Sequence, residues 1–583
     1  MKNGGKGKKQ GFGTGRRILV ICCFLALCYL VIGARAVYLQ VFEGPSLSER
    51  ASGEYSRRIE MRDKRGTVYD TNLRELAVST GVVSIGAHPR RISNPRRVSA
   101  VVAEKLDLDK NRVLEKLSSE RPFVWIHRQA SPERAEEVKQ EVGAGLELVN
   151  TYSRVYPNRE LAAQVLGFSG IDGNGLEGVE YYYDQHLKGD MRQWTVVKDA
   201  LGRIFQKTGS GDENGGEGRN LVLTIDANIQ YTAEEALKNS VLKFNAESGM
   251  ALVMEPATGA LRAVAHYPSF NPNSFGQFPK ETWRNRAVGS EFEPGSALKV
   301  FLAAAALDSG LYGPNTEIDC EGGKYETEKF TIKDTRPHEK LTLREVIKYS
   351  SNIGAVKVAD SIGPKALYDT LRDFGFGEET GIDASGEASG RLRHYSSWRP
   401  IDNATIAFGQ GVTVNAVQLL SAFSAIANQG VLVKPRLAEA IVEPDGGVYK
   451  RFEPEPVRRV IEADTAEQLK NMMQAVTEPD GTGPQASPEG YRVCGKTGTA
   501  QILNSRGTYE DSEYNAVFAG FAPVDSPELA VLVVIEAPKV GHYGGMVAGP
   551  VFAEIVQESF NYMDISPAAA GNAGETGEGE GAS

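Results

Sequence analysis

From Ala297 to Leu307 every residue except Lys299 is apolar. At helical spacing such a run is apolar on all sides, so it has to lie inside a large domain with other elements packed around it. A lysine within it is costly unless it is paired or kept neutral. Pro294 and Gly295 turn the chain just before the run, and Ser296 is suited to start the helix. Ser296 and Lys299 stand at i and i+3, which puts a hydroxyl and an amine on one face. That pairing has a chemical use. A desolvated lysine loses its proton more readily and accepts one from serine, and N–H groups at a helix start favour a developing oxyanion.

An isolated SxxK more often marks a helix cap followed by a surface lysine, so the pattern needs support from elsewhere in the chain. Ser350-Ser351-Asn352, in KYSSNIGA, lies between a helical pattern and an apolar run, where a hydroxyl and an amide can share a cleft. Lys496-Thr497-Gly498-Thr499 lies in a strand pattern. It offers a cation and two hydroxyls for a carboxylate, and a glycine that permits close approach. In this order SxxK, SxN and KTG form the signature of penicillin-interactive serine acyltransferases. The chain also carries chance matches: Ser240/Lys243, Lys207-Thr208-Gly209, Ser269/Asn271 and Ser559/Asn561. None of these combines order, burial and placement as Ser296, Ser350 and Lys496 do. GNGLEG at 173–178 matches a dinucleotide pattern but leads into VEYYYDQHLKG instead of an apolar helix. HExxH and GxSxG are absent and the seven histidines are scattered, so neither a cofactor nor a metal is expected.

The rest of the chain sets where this chemistry takes place. Residues 18–34 are uncharged, about 25 Å of helix at roughly 1.5 Å per residue, and AVYLQVF extends the run to Phe42. Six basic and no acidic residues precede it, which predicts an uncleaved anchor with residues 1–17 in the cytoplasm. A cleaved signal peptide, with a cut at Ala34-Arg35-Ala36, is the rival reading. The net charge of −10 argues against nucleic acid as a partner, and three of the five cysteines lie in the apolar run, which excludes a disulfide scaffold. The expected organisation is a basic stub (1–17), an anchor (18–42), a mixed N-terminal domain (43–206) and a Gly-rich linker (207–220). A main domain (221–563) and a disordered tail (564–583) complete it. Strand patterns at 249–256, 260–268, 492–502, 516–523 and 529–538 flank a helical stretch from Ser296 to about Ala427. A closing helix is expected from Gly549 to Met563. This pattern predicts an α/β (α+β) domain with one antiparallel sheet covered by helices.

These residues resemble the class B penicillin-binding proteins, and within them the division type. The likeness runs from about Arg16 to Met563. It includes RGTVYDTNLRELAVS (65–79), GLEGVEYYYDQHLKG (175–189), TIDANIQ, EPGSALK, SSN, AFGQGVTVNAVQLL and GYRVCGKTGTAQ. The resemblance implies the penicillin-binding transpeptidase fold, a five-stranded sheet with an elongated N-terminal pedestal, on a single-pass anchor in the cytoplasmic (inner) membrane with the catalytic domain outside. It implies that Ser296 attacks the penultimate D-Ala of a peptidoglycan stem peptide, with Lys299 as base. Ser350 would relay a proton, and Asn352 would contact Lys299 and the substrate amide. Lys496, Thr497, Gly498 and Thr499 would seat the donor carboxylate, with the N–H groups of Ser296 and Thr499 as oxyanion hole. Partners would be stem peptides, β-lactams, a membrane-embedded glycan polymerase and other divisome proteins. Ala297, Leu298 and Val300, TNLRE at 71–75 and VNAVQ at 414–418 depart from the commoner family residues without removing a reacting group. Cys494, two residues before Lys496, should share its side of the strand as a packed residue. Alternatives are an elongation or sporulation transpeptidase, a D,D-carboxypeptidase or β-lactamase, a non-catalytic sensor, and a bifunctional enzyme. The last lacks a paired-carboxylate motif in 43–206.

Overall fold

The computed structural model describes residues 14–47, 56–198, 204–209, 216–326, 331–503 and 509–567. Its contacts divide into two units, residues 1–62 with 190–216, and residues 63–189 with 217–583. In the first unit, Gly15–Phe42 is, among the described residues, the one helix long and apolar enough to cross a membrane, and none of it is buried. The same unit contains a three-stranded antiparallel sheet with Met191–Lys198 between Ser56–Arg62 and Ile204–Gly209. The expected linker 207–220 is therefore not open chain throughout. Residues 207–209 finish a strand and Asn220 begins another, while residues 210–215 lie outside the described residues. Most of the basic stub (1–13) and of the tail (568–583) also lies outside them.

The second unit is built on two sheets. The five strands expected for the main domain form β1 (Ser248–Glu255), β2 (Ala260–Tyr267), β3 (Cys494–Leu503), β4 (Tyr509–Ala522) and β5 (Leu529–Glu536). They are antiparallel in the order β2-β1-β5-β4-β3, which leaves β3 at one end. Alternate side chains enter different cores, as the strand period of two requires. Met250, Leu252 and Met254 join the core that contains helix Lys299–Asp308 and helix Ala416–Ala427. Ala251 and Val253 join the core beneath helices Ala227–Lys243 and Gly549–Tyr562. Every residue of Ala416–Ala427 is buried, and its start is fixed by a capping box between Asn415 and Gln418.

The stretch from Ser296 to Ala427 is not continuously helical. Glu317–Asp319 pairs with Lys340–Thr342, and Lys324–Glu326 pairs with Thr331–Lys333, before the helices Leu343–Tyr349 and Asn352–Asp373. Pro314, Gly322, Gly323 and Pro337 punctuate this segment, and KFTIK alternates as a strand does.

The second sheet joins residues far apart in the chain. Val68–Tyr69 pairs in parallel with Leu221–Val222 and antiparallel with Glu75–Ala87, and Asn220–Leu223 pairs in turn with Ala438–Val442. Two of the segments singled out above meet beside it. Glu180, fully buried, accepts from Arg65 Nε and Arg154 Nε, both at 2.6 Å, and Arg65 also donates to Asp184 at 2.6 Å. Burial pushes the Glu180 carboxyl up, and Arg154 and Arg65 more than offset this, leaving it below the usual carboxylate range. Removing one member of such a cluster strands the others. Glu180→Ala is expected to destabilise the detergent-solubilised protein by about 3–5 kcal/mol, read as a lowered chemical-unfolding midpoint.

Candidate active site

Ser296 does not cap a helix directly. It sits in a 3-10 turn, Gly295–Leu298, that runs into helix Lys299–Asp308, and Lys299 N donates to Ser296 O. Residues i and i+3 eclipse in a 3-10 turn, so this brings the Ser296 and Lys299 side chains onto one edge. The turn is clasped from behind: Gly295 N donates to Gly409 O at 3.1 Å, and Gly411 N donates to Glu293 Oε1 at 2.7 Å. Gly409 has φ +86°, and a Cβ there would lie 1.9 Å from Gly295 O, so the AFGQG segment needs a glycine at this point.

Lys299 is fully buried, and its amine meets three acceptors: Ser350 O at 2.6 Å, Asn352 Oδ1 at 2.7 Å and Ser350 Oγ at 3.3 Å. Burial lowers its pKa to about 7, against the pull of Asp334. Ser350 occupies the left-handed C-cap of helix Leu343–Tyr349 at φ +59°, a conformation that turns the chain sharply into the next helix. Ser351 caps that next helix, Asn352–Asp373. The preceding helix is tied down by Lys348, paired with Glu478 at 2.6 Å and Asp480 at 2.7 Å.

On the opposite wall, β3 brings Lys496 into the same cluster. Its fully buried amine donates to Ser350 Oγ at 3.0 Å, and burial together with repulsion from Lys299 holds it well below the usual lysine range. One hydroxyl therefore lies within hydrogen-bond reach of two amines of lowered basicity. Thr497, almost buried, donates to Thr482 Oγ1 at 3.0 Å. Gly498 passes close to the serine turn, and a Cβ there would stand 2.8 Å from Pro294 O. Thr499 Oγ1 accepts from Gly544 N at 3.3 Å. Ser296, Ser350, Asn352 and Thr499 are half-buried, whereas both lysines are sealed from solvent. The arrangement sets a half-buried hydroxyl beside a sealed amine, a second hydroxyl between two amines, and the end strand of the sheet alongside the serine turn.

Ser296, Lys299, Ser350, Asn352, Lys496, Thr497, Gly498 and Thr499 thus lie where the serine turn, the SSN segment and β3 meet. Cys494 joins the core on the Lys496 side of β3, and its Sγ donates to Lys470 O at 3.1 Å. The chance matches go elsewhere. Ser240 is buried and donates to Val547 O at 3.1 Å, and Ser269 donates to Glu160 O at 3.4 Å. The side chains of Lys207-Thr208-Gly209 lie outside the described residues. Asp334 and Thr482 escaped the sequence reading because single polar residues in connecting segments carry no spacing signal.

Residues 249–557 match the penicillin binding protein transpeptidase domain, and residues 61–223 match the penicillin-binding protein dimerisation domain. The chain is 34% identical over 571 residues to the probable peptidoglycan D,D-transpeptidase PenA of Neisseria meningitidis, spanning 96% of this chain and 95% of that protein. It is 33% identical over 558 residues to the peptidoglycan D,D-transpeptidase FtsI of Escherichia coli K12, spanning 94% and 92% respectively. Penicillin binding protein 3 of Mycobacterium tuberculosis, solved in complex with aztreonam, superposes with a TM-score of 0.67 at 27% identity, over 88% of this chain and 98% of that one. A dimerisation domain followed by a transpeptidase domain, matched over nearly its whole length, places the chain in the class B penicillin-binding proteins.

Proposed function

We propose that this protein is a peptidoglycan D,D-transpeptidase acting through a Ser296 acyl-enzyme. The observation that carries the reading is the buried Lys299 amine, held by Ser350 and Asn352 one turn from a half-exposed serine. Lys299 takes the Ser296 proton as the hydroxyl attacks the carbonyl of the penultimate D-Ala. The N–H groups of Ser296 and Thr499 receive the oxyanion. Ser350, bridging Lys299 and Lys496, passes a proton to the leaving terminal D-Ala, and Lys496, Thr497 and Thr499 hold its carboxylate. The amine of a second stem peptide then takes the acyl group and the crosslink is complete. β-Lactams acylate the same serine as mimics of the donor.

In this reading residues 1–17 lie in the cytoplasm, 18–42 anchor the chain in the cytoplasmic membrane, and the pedestal (43–206) and catalytic domain (221–563) lie outside it. The pedestal and anchor favour a transpeptidase over a soluble carboxypeptidase or β-lactamase. The AFGQG segment favours the division subgroup, with a membrane-embedded glycan polymerase and other divisome proteins as partners.

Ser296→Ala is expected to abolish labelling by a fluorescent penicillin while the protein stays folded, and stoichiometric labelling of that variant would refute the assignment. Given a stem-peptide donor and an amine acceptor, the wild type should form the amide; acid product alone would make it a carboxypeptidase. Because only unprotonated Lys299 accepts a proton, and its pKa is lowered to about 7, acylation should rise with pH through an inflection near that value. An inflection near the ordinary lysine value would contradict a buried base. Depletion in the parent cell should produce filaments, whereas round cells would assign the enzyme to elongation.

A further inference from the structure

Asp334 belongs to none of the three motifs, yet the SSN segment is built around it. It follows the strand Thr331–Lys333, and its own N–H donates to Gly323 O at 3.2 Å, which fixes the carboxylate to the hairpin. Asp334 Oδ1 accepts from Asn352 N at 2.5 Å and Ile353 N at 3.0 Å. Its Oδ2 accepts from Ser351 Oγ at 2.5 Å, and Ser351 Oγ in turn accepts from Gly354 N at 2.9 Å. The first N–H groups of helix Asn352–Asp373, which have no partner inside the helix, are thus satisfied by Asp334 and Ser351 together. A negative group at a helix start is also favoured by the helix dipole.

The hairpin also sets the Asn352 side chain. Asn352 Nδ2 donates to Lys333 O at 3.1 Å, which leaves Oδ1 to receive Lys299 at 2.7 Å. With the backbone N–H held by Asp334 and the amide N–H held by Lys333, the side chain has one orientation, oxygen towards the lysine.

We propose that Asp334 is a positioning residue for acyl transfer: by capping the helix that begins at Asn352 it aims the Asn352 amide oxygen at Lys299 and so places the base against Ser296. The proposal rests on the roles given to Ser296 and Lys299 above. A second effect follows from charge. Two charged groups act on the Lys299 amine: Lys496 on β3 repels it, and Asp334 on the hairpin favours its protonated form. Around Asp334 itself stand the Cys320 thiol, 3.7 Å from Ser351 Oγ, with Asp319 nearby, and Lys357, which is paired with Glu321 at 2.6 Å. Capping and charge can therefore be separated by substitution.

The experiment is the rate of acylation by a fluorescent penicillin against pH, on full-length protein in detergent. Asp334→Asn keeps an acceptor oxygen for the helix N–H groups but loses the charge. Without that charge Lys299 deprotonates more easily, so the acid limb should move to lower pH by about 0.5–1 unit. Asp334→Ala loses the cap as well, and its plateau rate above pH 8 should fall about ten-fold or more. Asp334→Glu, which retains the charge, should return the limb towards the wild-type position whatever its rate. An acid limb that stays in place in Asp334→Asn, or an unchanged plateau in Asp334→Ala, overturns the inference. So does a loss of rate explained by a lowered thermal midpoint with no movement of the limb. Failure of the wild type to label, or labelling that survives in Ser296→Ala, would instead sink the reading of Ser296 on which the proposal stands.

Discussion

The site depends on an amine that is denied water. Lys299 sits in a helix whose neighbours are apolar on every side, and desolvation there strips the ammonium form of its usual advantage. Left without partners, such a group would weaken the domain core. Here its acceptors come from one short segment, the Ser350 carbonyl and hydroxyl and the Asn352 amide. The same contacts that make burial tolerable hold the lysine beside the serine, so stability and chemistry ask for the same geometry. Much of the surrounding architecture keeps that segment still: the left-handed turn at Ser350, the ion pairs of Lys348, and the Asp334 hairpin.

A second buried charge cluster, in the pedestal part of the unit, works differently. Glu180 between Arg65 and Arg154 is closed on both flanks and performs no chemistry in our reading. It ties residues from three distant stretches into one point, which is the kind of specificity that an apolar contact, indifferent to direction, supplies poorly. The contrast is instructive. The carboxylate with two cationic partners stays below its ordinary range, while the lysines that face each other are both depressed.

Much of this was legible in the chain. The apolar run after Ser296 announced a central helix, and the apolar runs at 249–256 and 529–538 announced strands, which the structure buries on both faces. The order of the three motifs announced one cleft. What escaped was non-local. Val68–Tyr69 and Asn220–Leu223 are too short for periodicity to reveal, and each is a strand through the partners on its two sides, one of which is the other. The hairpins between 317 and 342 were absorbed into a helical stretch because their apolar residues are few and their turns carry most of the signal. The linker was read from composition, and composition does not register a strand that pairs with residues 191–198. Asp334 illustrates the same limit at the site, since its importance lies in which N–H groups it meets.

The parallel pairing of Val68–Tyr69 with Leu221–Val222 has a bearing on biogenesis. A chain made from its N-terminus delivers residue 68 long before residue 221. The early strand must wait with one margin open until the later one emerges. During that interval the antiparallel pairing with Glu75–Ala87, which needs only the next few residues of the chain, can already hold Val68–Tyr69, and the Arg65–Glu180 clasp can follow once residue 180 has emerged.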